Sequence, residues 1–369
     1  MNLAWPCRTI AVCASLCLNF AGFAQHNQGY NFQIVAVNGQ TIDGFKLTNV
    51  QGPAINNLGQ IVFVGSYNDG SYAGAHGIFT PQHVLVKKGD TVAGHVLAGV
   101  GSGIVNDFGE VVFVGLPQDV PGAIGIYTVR PASQVAIQGE TIQNLKLTNI
   151  GSPVLNDWGT VVFEDPAGLF TRDRAAIKLG DSIGGHVLTA ISNAGGQNFW
   201  FNNLGILAFV ADFSGGTGVF TQYGLVAKTG DTISGLQLAG ISGATINDWG
   251  TVGFSAAFHG GYGLFTKNGV IAKTGQIIAG ATLSSVEQLS LDNDNTAVFL
   301  GWYNNGNANA IFTPQSRIVG TGDTIQGHTL AQILDDRLTI KNGTIVFTAL
   351  FNDLGPAIVT AQKRGGRDE

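Results

Sequence analysis

Residues 230–254 read GDTISGLQLAGISGATINDWGTVGF, and the chain repeats this stretch. Each copy opens on a glycine followed by an acid or glutamine, and closes on a phenylalanine after an Asn-x-x-Gly element. The opening glycines are Gly39, Gly89, Gly139, Gly180, Gly230, Gly275 and Gly322. The closing phenylalanines are Phe63, Phe113, Phe163, Phe209, Phe254, Phe299 and Phe347. Five copies span 24 residues from glycine to phenylalanine, copy four is five longer and copy seven one longer. The glycine-to-glycine period of 41 to 50 residues points to a solenoid or a propeller.

Within copy five, four short β-type runs are separated by turn signals: the stretch from Thr232 to Ile241, TVGFSAAF, GLFT and GVIAKT. No stretch keeps a helical period with caps. Four strands per repeat of this length describe a propeller blade. The expected fold is therefore an all-β, seven-bladed β-propeller. Asn-Asp-x-Gly reads as the hairpin turn between the first and second strands, because Asn and Asp bond local backbone and Gly takes positive φ freely. The phenylalanine then points into the packing between blades. The residue four further on lies on the same strand face. It is Tyr67, Phe213, Phe258, Tyr303 or Phe351 in five copies, which argues for core.

The ends of the chain suggest how the ring closes. The run NFQIVAV (31–37) resembles the fourth-strand runs HVLVKK and GLVAKT, whereas no fourth strand follows Ala357 to Thr360. The N-terminal run is expected to complete the last blade, so that the ring has no open edge. Lysines such as Lys87, Lys88, Lys178, Lys228 and Lys273 occupy the fourth runs and mark that strand as outermost.

Met1 to Ala24 carries one charge, Arg8, ahead of an apolar run and a small-residue site at Gly22 to Ala24. It reads as a secretory signal peptide with Gln25 the mature start. All three cysteines, Cys7, Cys13 and Cys17, lie inside it, so the mature chain uses no disulfide or thiolate chemistry. The expected layout is 1–24 signal peptide, 25–361 a single propeller domain and 362–369 a disordered polar tail. The formal net charge is −6, and −7 once Arg8 is removed. That balance argues against nucleic acid and anionic membrane surfaces as partners. No apolar run long enough to span a bilayer follows the signal.

The element Asn-x-x-Gly-x-x-x-Phe stands intact at Asn56/Gly59/Phe63, Asn106/Gly109/Phe113, Asn156/Gly159/Phe163, Asn202/Gly205/Phe209 and Asn247/Gly250/Phe254. Copy six has Asp292 and Asn295 in place of Asn and Gly, and copy seven has Ile340 in place of Asn. The chain resembles the choice-of-anchor tandem-repeat proteins named for this N-x-x-G-x-x-x-F motif. That resemblance implies an exported bacterial surface protein. Members carry one of several sorting tails, and free release is expected here. It implies no activity or catalytic residue.

Several constellations invite chemistry. An acid follows the opening glycine at Asp90, Glu140, Asp181, Asp231 and Asp323, with Gln40 and Gln276 in the other copies. Such a ring could hold Ca²⁺, but the glutamines favour a turn cap, so no cofactor is expected. Asp292-Asn293-Asp294 lacks the rest of a calcium loop and reads as a turn. His95, His186 and His328 share one repeat position on separate blades, where other copies place apolar residues, and read as half-buried packing. Glu164 and Asp165 replace apolar residues after Phe163 and could include a buried general acid; an exposed strand end is the plainer reading. Loops between the second and third strands vary most, and they share a face with the Gly-Asp-Thr connections. Tyr72, His259, Trp302, Asn304 and Asn305 could form a polar-aromatic ligand surface there. Extra residues in copy four could push Phe199 and Trp200 toward the central channel. The expected function is a secreted, monomeric binding module for an extracellular glycan or protein. A glycosidase or lyase using face carboxylates and a structural surface protein are the alternatives.

Overall fold

The computed structural model describes residues 29–71, 74–191 and 199–364. The signal-peptide expectation for 1–24 lies outside them. Seven sheets of four or more strands make up the molecule, and no α-helix occurs among the described residues. In blade 5 the strands run Leu236–Ile246, Val252–Phe258, Gly261–Thr266 and Gly269–Lys273, from axis to rim. Inner strands of neighbouring blades pack side by side around the ring, and His328–Lys341 of blade 7 meets Phe45–Ile55 of blade 1.

Closure follows the expected strategy. Tyr30–Val37 pairs antiparallel with Gly355–Lys363, with Gln33 opposite Thr360 and Val37 opposite Ala357. That last strand runs to Lys363, past the expected domain end at 361.

Antiparallel order gives the ring two unlike faces. The turn face carries the Asn-x-x-Gly turns and the turns between third and fourth strands. The loop face carries the loops between second and third strands and the connections between blades. Each connection holds one hairpin more than four strands per repeat implies. Thr232–Ile233 pairs with the start of Leu236–Ile246 across Ser234 and Gly235, with φ of 50° and 79°. Positive φ at both central residues makes this the tight hairpin turn that suits strand twist, and Gly supplies it without a Cβ clash.

The core lies between blades. Phe254 and Phe258 of blade 5 pack with Ala208 and Val210 of blade 4, and Leu47 and Phe63 of blade 1 with Val346 and Ile358 of blade 7. Burying one such phenylalanine contributes about 1.5–3 kcal/mol. In six blades the motif phenylalanine also stacks on an aromatic ring of the third strand, as in Phe254–Phe265 at 5.7 Å and Phe299–Phe312 at 5.9 Å. Tyr67, Phe213, Phe258, Tyr303 and Phe351 are buried as expected.

The motif asparagines join the blades. Asn56 Nδ2 donates to the carbonyl of Asn106, Asn106 to Asn156, Asn156 to Asn202, Asn202 to Asn247, and Asn247 to Asp292. Asp292 has no donor and instead accepts from the backbone N–H groups of Asn342 and Gly343 at 3.0 and 2.6 Å. Asn342 Nδ2 completes the circuit by donating to the carbonyl of Asn57. The substitutions that break the motif in copies six and seven are thus complementary.

Candidate functional site

The inner strands enclose the axis, and Trp200 of blade 4 and Arg337 of blade 7 divide the space there. On the turn-face side a slot of about 60 Å³ is lined by Asn57, Asp107, Asp157, Asn203, Asp248 and Lys341, among others. Its acids are engaged: Asp107 accepts the N–H of Asn57 at 2.8 Å, Asp157 that of Asp107 at 2.9 Å, and Asp248 that of Asn203 at 3.0 Å. Burial pushes the Asp157 carboxyl above the usual aspartate value.

Toward the loop face lies a cavity of about 300 Å³, lined by Trp200, Ser242, Ser255, Glu287, Gln288, Asp335, Asp336 and Arg337 with neighbouring backbone. Glu287 sits on the inner strand Ser285–Leu291 of blade 6, and Asp335 on that of blade 7. The two lie close enough for the charge of Asp335 to act on the Glu287 carboxyl. Gln288 Nε2 donates to Asp335, and Ser285 Oγ donates to Glu287 at 2.7 Å. Burial first, then the charge and hydrogen bond of Asp335, push the Glu287 carboxyl above the ordinary glutamate value; Ser285 and the Trp302 side chain hold it back. A like charge close by makes ionising the Glu287 carboxyl costlier than it is in water.

Asp336 and Arg337 brace the same wall. Asp336 Oδ2 accepts the N–H of Gly52 in blade 1 at 2.6 Å and the hydroxyl of Thr348 at 2.7 Å. Burial raises its pKa and those bonds oppose the rise. Arg337 Nη1 donates to the carbonyl of Gly103 in blade 2 at 2.9 Å, past blade 1. Burial lowers its pKa, and the charge of Asp336 opposes that. The cavity lining thus holds one cation, three carboxyls, three hydroxyls and an indole. That set can hydrogen-bond a hydroxyl-rich ligand from several sides while Trp200 offers a flat apolar surface.

The sequence candidates fall in different places. Trp200 is among the residues that line the cavity. Phe199 does not: it is buried in the core between blades 3 and 4, opposite Phe209, because alternate side chains of a strand face opposite ways. Trp302 reaches Glu287 and so touches the cavity's acid pair. His259 is exposed at a hairpin tip of blade 5. Asn304 and Asn305 form a tight turn, with φ of 52° and 56°, away from the lining residues. Tyr72 and most of copy four's extra residues lie outside the described residues.

The other constellations are structural. The side-chain oxygen after the opening glycine accepts the N–H three residues back in every copy, as in Asp231 from Lys228 at 2.9 Å, Gln40 from Val37 and Gln276 from Lys273 at 3.1 Å. Glutamine serves as well as an acid because only an acceptor is needed. His95 bonds Asp119 and Gln134, His328 bonds Asp353, and His186 packs on Phe213, each near the first strand of its own blade. Asp165 is buried, not at an exposed strand end, and accepts the N–H groups of Thr148, Asn149 and Ala167 where blade 3's inner strand is broken. Asp292 and Asn293 join neighbouring blades. Among the described residues no group of His, Cys, Asp or Glu is arranged to hold a metal ion.

Glu287, Asp335, Asp336 and Arg337 were missed by the motif search, though the sequence carries their signal. At the same repeat position copies one, two, three and five read QGPA, GSGI, GSPV and SGAT, whereas copies six and seven read EQLS and DDRL.

No protein-family model matches the chain, and no curated protein matches it. Among solved structures, similar chains are propellers and sensor domains. A catalytically inactive virginiamycin B lyase from Staphylococcus aureus with quinupristin is 15% identical, with 90% of this chain and 100% of that one covered at a TM-score of 0.44. The extracellular domain of a hybrid two-component system from B. thetaiotaomicron is 14% identical, covering 89% and 41% at 0.44. A WD40 domain from Toxoplasma gondii coronin is 10% identical, covering 92% and 89% at 0.42. The seven-bladed arrangement rests on the sheets themselves.

Proposed function

We propose that this propeller is an exported binding module that takes the end of an extracellular glycan into the axial cavity from the loop face. The observation that carries the reading is the convergence of Glu287, Gln288, Asp335 and Arg337 beside Trp200, at positions where the inner strands of blades 6 and 7 depart from the repeat. Repeat-breaking polar residues are not needed for blade packing, and convergent polar groups with an aromatic wall suit a small polar ligand. Export follows from the leader-like start and the motif resemblance, and both belong to this proposal. A glycan array probed with the chain from Gln25, followed by calorimetry on any hit, tests it. Binding lost in Trp200→Ala and Glu287→Gln supports the reading; glycan binding that survives both substitutions sinks it.

A glycosidase is the second reading, favoured by the paired carboxyls. Glycoside hydrolysis places two carboxyls about 5–10 Å apart across the scissile bond. Glu287 and Asp335 instead sit side by side on neighbouring inner strands and act on one another, which suits holding a ligand better than cleaving one. A hydrolase panel separates the two.

A further inference from the structure

The third residue of each Asn-x-x-Gly turn points away from the ring on the turn face. There the chain places Leu58, Phe108, Trp158, Leu204 and Trp249 in blades 1 to 5. Phe108, Trp158, Trp249 and Leu58 are 81, 79, 75 and 71% exposed, and Tyr223, in a neighbouring turn of the same face, is 77% exposed. These are the most exposed large apolar side chains among the described residues. An apolar residue is not required at this position, since blades 6 and 7 carry Asp294 and Asn342 there; only Trp158 also bonds its neighbour, its Nε1 donating to the carbonyl of Asn203 at 2.8 Å. A soluble surface scatters such residues singly; a ring of them on one face marks a contact surface.

Charge and chain direction say what covers it. The outer turns of this face carry Arg130, Arg172, Arg174 and Lys267, all exposed. None of the four makes an ion pair among the described residues, whereas Lys87, Lys88 and Lys228 on the loop-face side are paired with Asp90, Asp69 and Asp231. Asp173, Asp294 and Glu110 stand among the free cations, and the axial acids are recessed and bonded to backbone. Tyr30 and Arg364 both leave the ring at this face, so the apolar stretch read as a leader is joined to the fold on this side. Trp and Tyr settle at the headgroup level of a bilayer, with Arg and Lys reaching its phosphates.

We propose that the turn face docks on a lipid bilayer surface, with the crown of Leu58, Phe108, Trp158, Leu204 and Trp249 entering the interface and the arginine rim meeting lipid phosphates. The chain's overall negative charge hides this, because the axial acids of this face are recessed and bonded to backbone while its rim cations stand exposed.

The test is sedimentation with vesicles of phosphatidylcholine carrying a minority of phosphatidylglycerol. Every strand among the described residues lies within 30–363, so the chain from Gln25 keeps them all and removes the apolar stretch's own affinity. The wild type co-sediments, and its tryptophan emission moves to the blue. Trp158→Ala with Trp249→Ala lowers vesicle affinity by roughly tenfold or more while the melting temperature holds. Phe108→Ser repeats the loss without touching tryptophan. A wild type that stays in the supernatant, as a protein-docking crown would, or crown variants that bind as well as wild type, overturn the proposal. The axial cavity is on the other side, so its ligand binding is unaffected by these substitutions.

Discussion

The side-chain amide of Asn56 donates to the backbone carbonyl of Asn106 at 2.7 Å, fifty residues along the chain and one blade around the ring. The same asparagine caps its own turn, with Oδ1 accepting the N–H groups of Leu58 and Gln60. One side chain thus serves turn and ring together. Asn202 is placed alike, donating to Asn247 at 2.9 Å and accepting from Leu204 and Ile206. Asn202→Ala leaves a buried carbonyl and two turn N–H groups short of partners and is expected to cost about 2 kcal/mol. Asn156 reaches the next blade at only 3.5 Å, so Asn156→Ala costs less. Denaturant unfolding of the two variants checks the order.

Glycine two residues after the motif phenylalanine makes room for a ring. A Cβ on Gly301 would stand 2.8 Å from Phe312 and 3.0 Å from Leu283. Gly301→Ala therefore overpacks the core and is expected to lose about 1–3 kcal/mol. A Cβ on Gly240, in an inner strand, would meet nothing within 4 Å. Gly240→Ala should be neutral or slightly stabilising, by up to about 1 kcal/mol. Equal melting temperatures for the two variants would contradict this packing account.

The acid pair predicts a pH signature. Glu287 has a raised folded pKa, so the folded state holds its proton more tightly than the unfolded chain does. Its contribution to stability is complete below the unfolded value and is lost as pH rises through the folded one. Glu287→Gln keeps a neutral group at all pH values. The variant's melting temperature relative to wild type is expected to rise from about pH 4.5 toward about pH 7. A flat difference across that range would show that the Glu287 pKa is not raised in the folded state.

Residues 30–37 close the ring, and removing them exposes the edge of Gly355–Lys363. A chain starting at Asn38 is expected to lose cooperative unfolding and to aggregate through that edge. A peptide spanning residues 28–38 should restore the transition by adding the missing strand. Calorimetry with and without the peptide reads both outcomes.

The period, the inter-blade phenylalanines and the closing strand were legible because each repeats along the chain and obeys local rules. The turn character of Asn-Asp-x-Gly was legible for the same reason. The destination of Asn56 Nδ2 was not, since its partner is adjacent only after the ring has formed. The hairpin at Ser234–Gly235 was hidden because a two-residue strand has no periodicity to read. Glu287 and Asp335 lie far apart in sequence and look like ordinary strand acids until two blades bring them together. Phe199 and Trp200 show the limit at finest grain: neighbours in sequence, one in the core and one at the axis, with only strand register deciding which.

Because Tyr30–Val37 pairs with Gly355–Lys363, residues 30–37 wait without a partner until residues 355–363 have been made. Until then the circle of blades stands open, and the stretch between them can still be threaded.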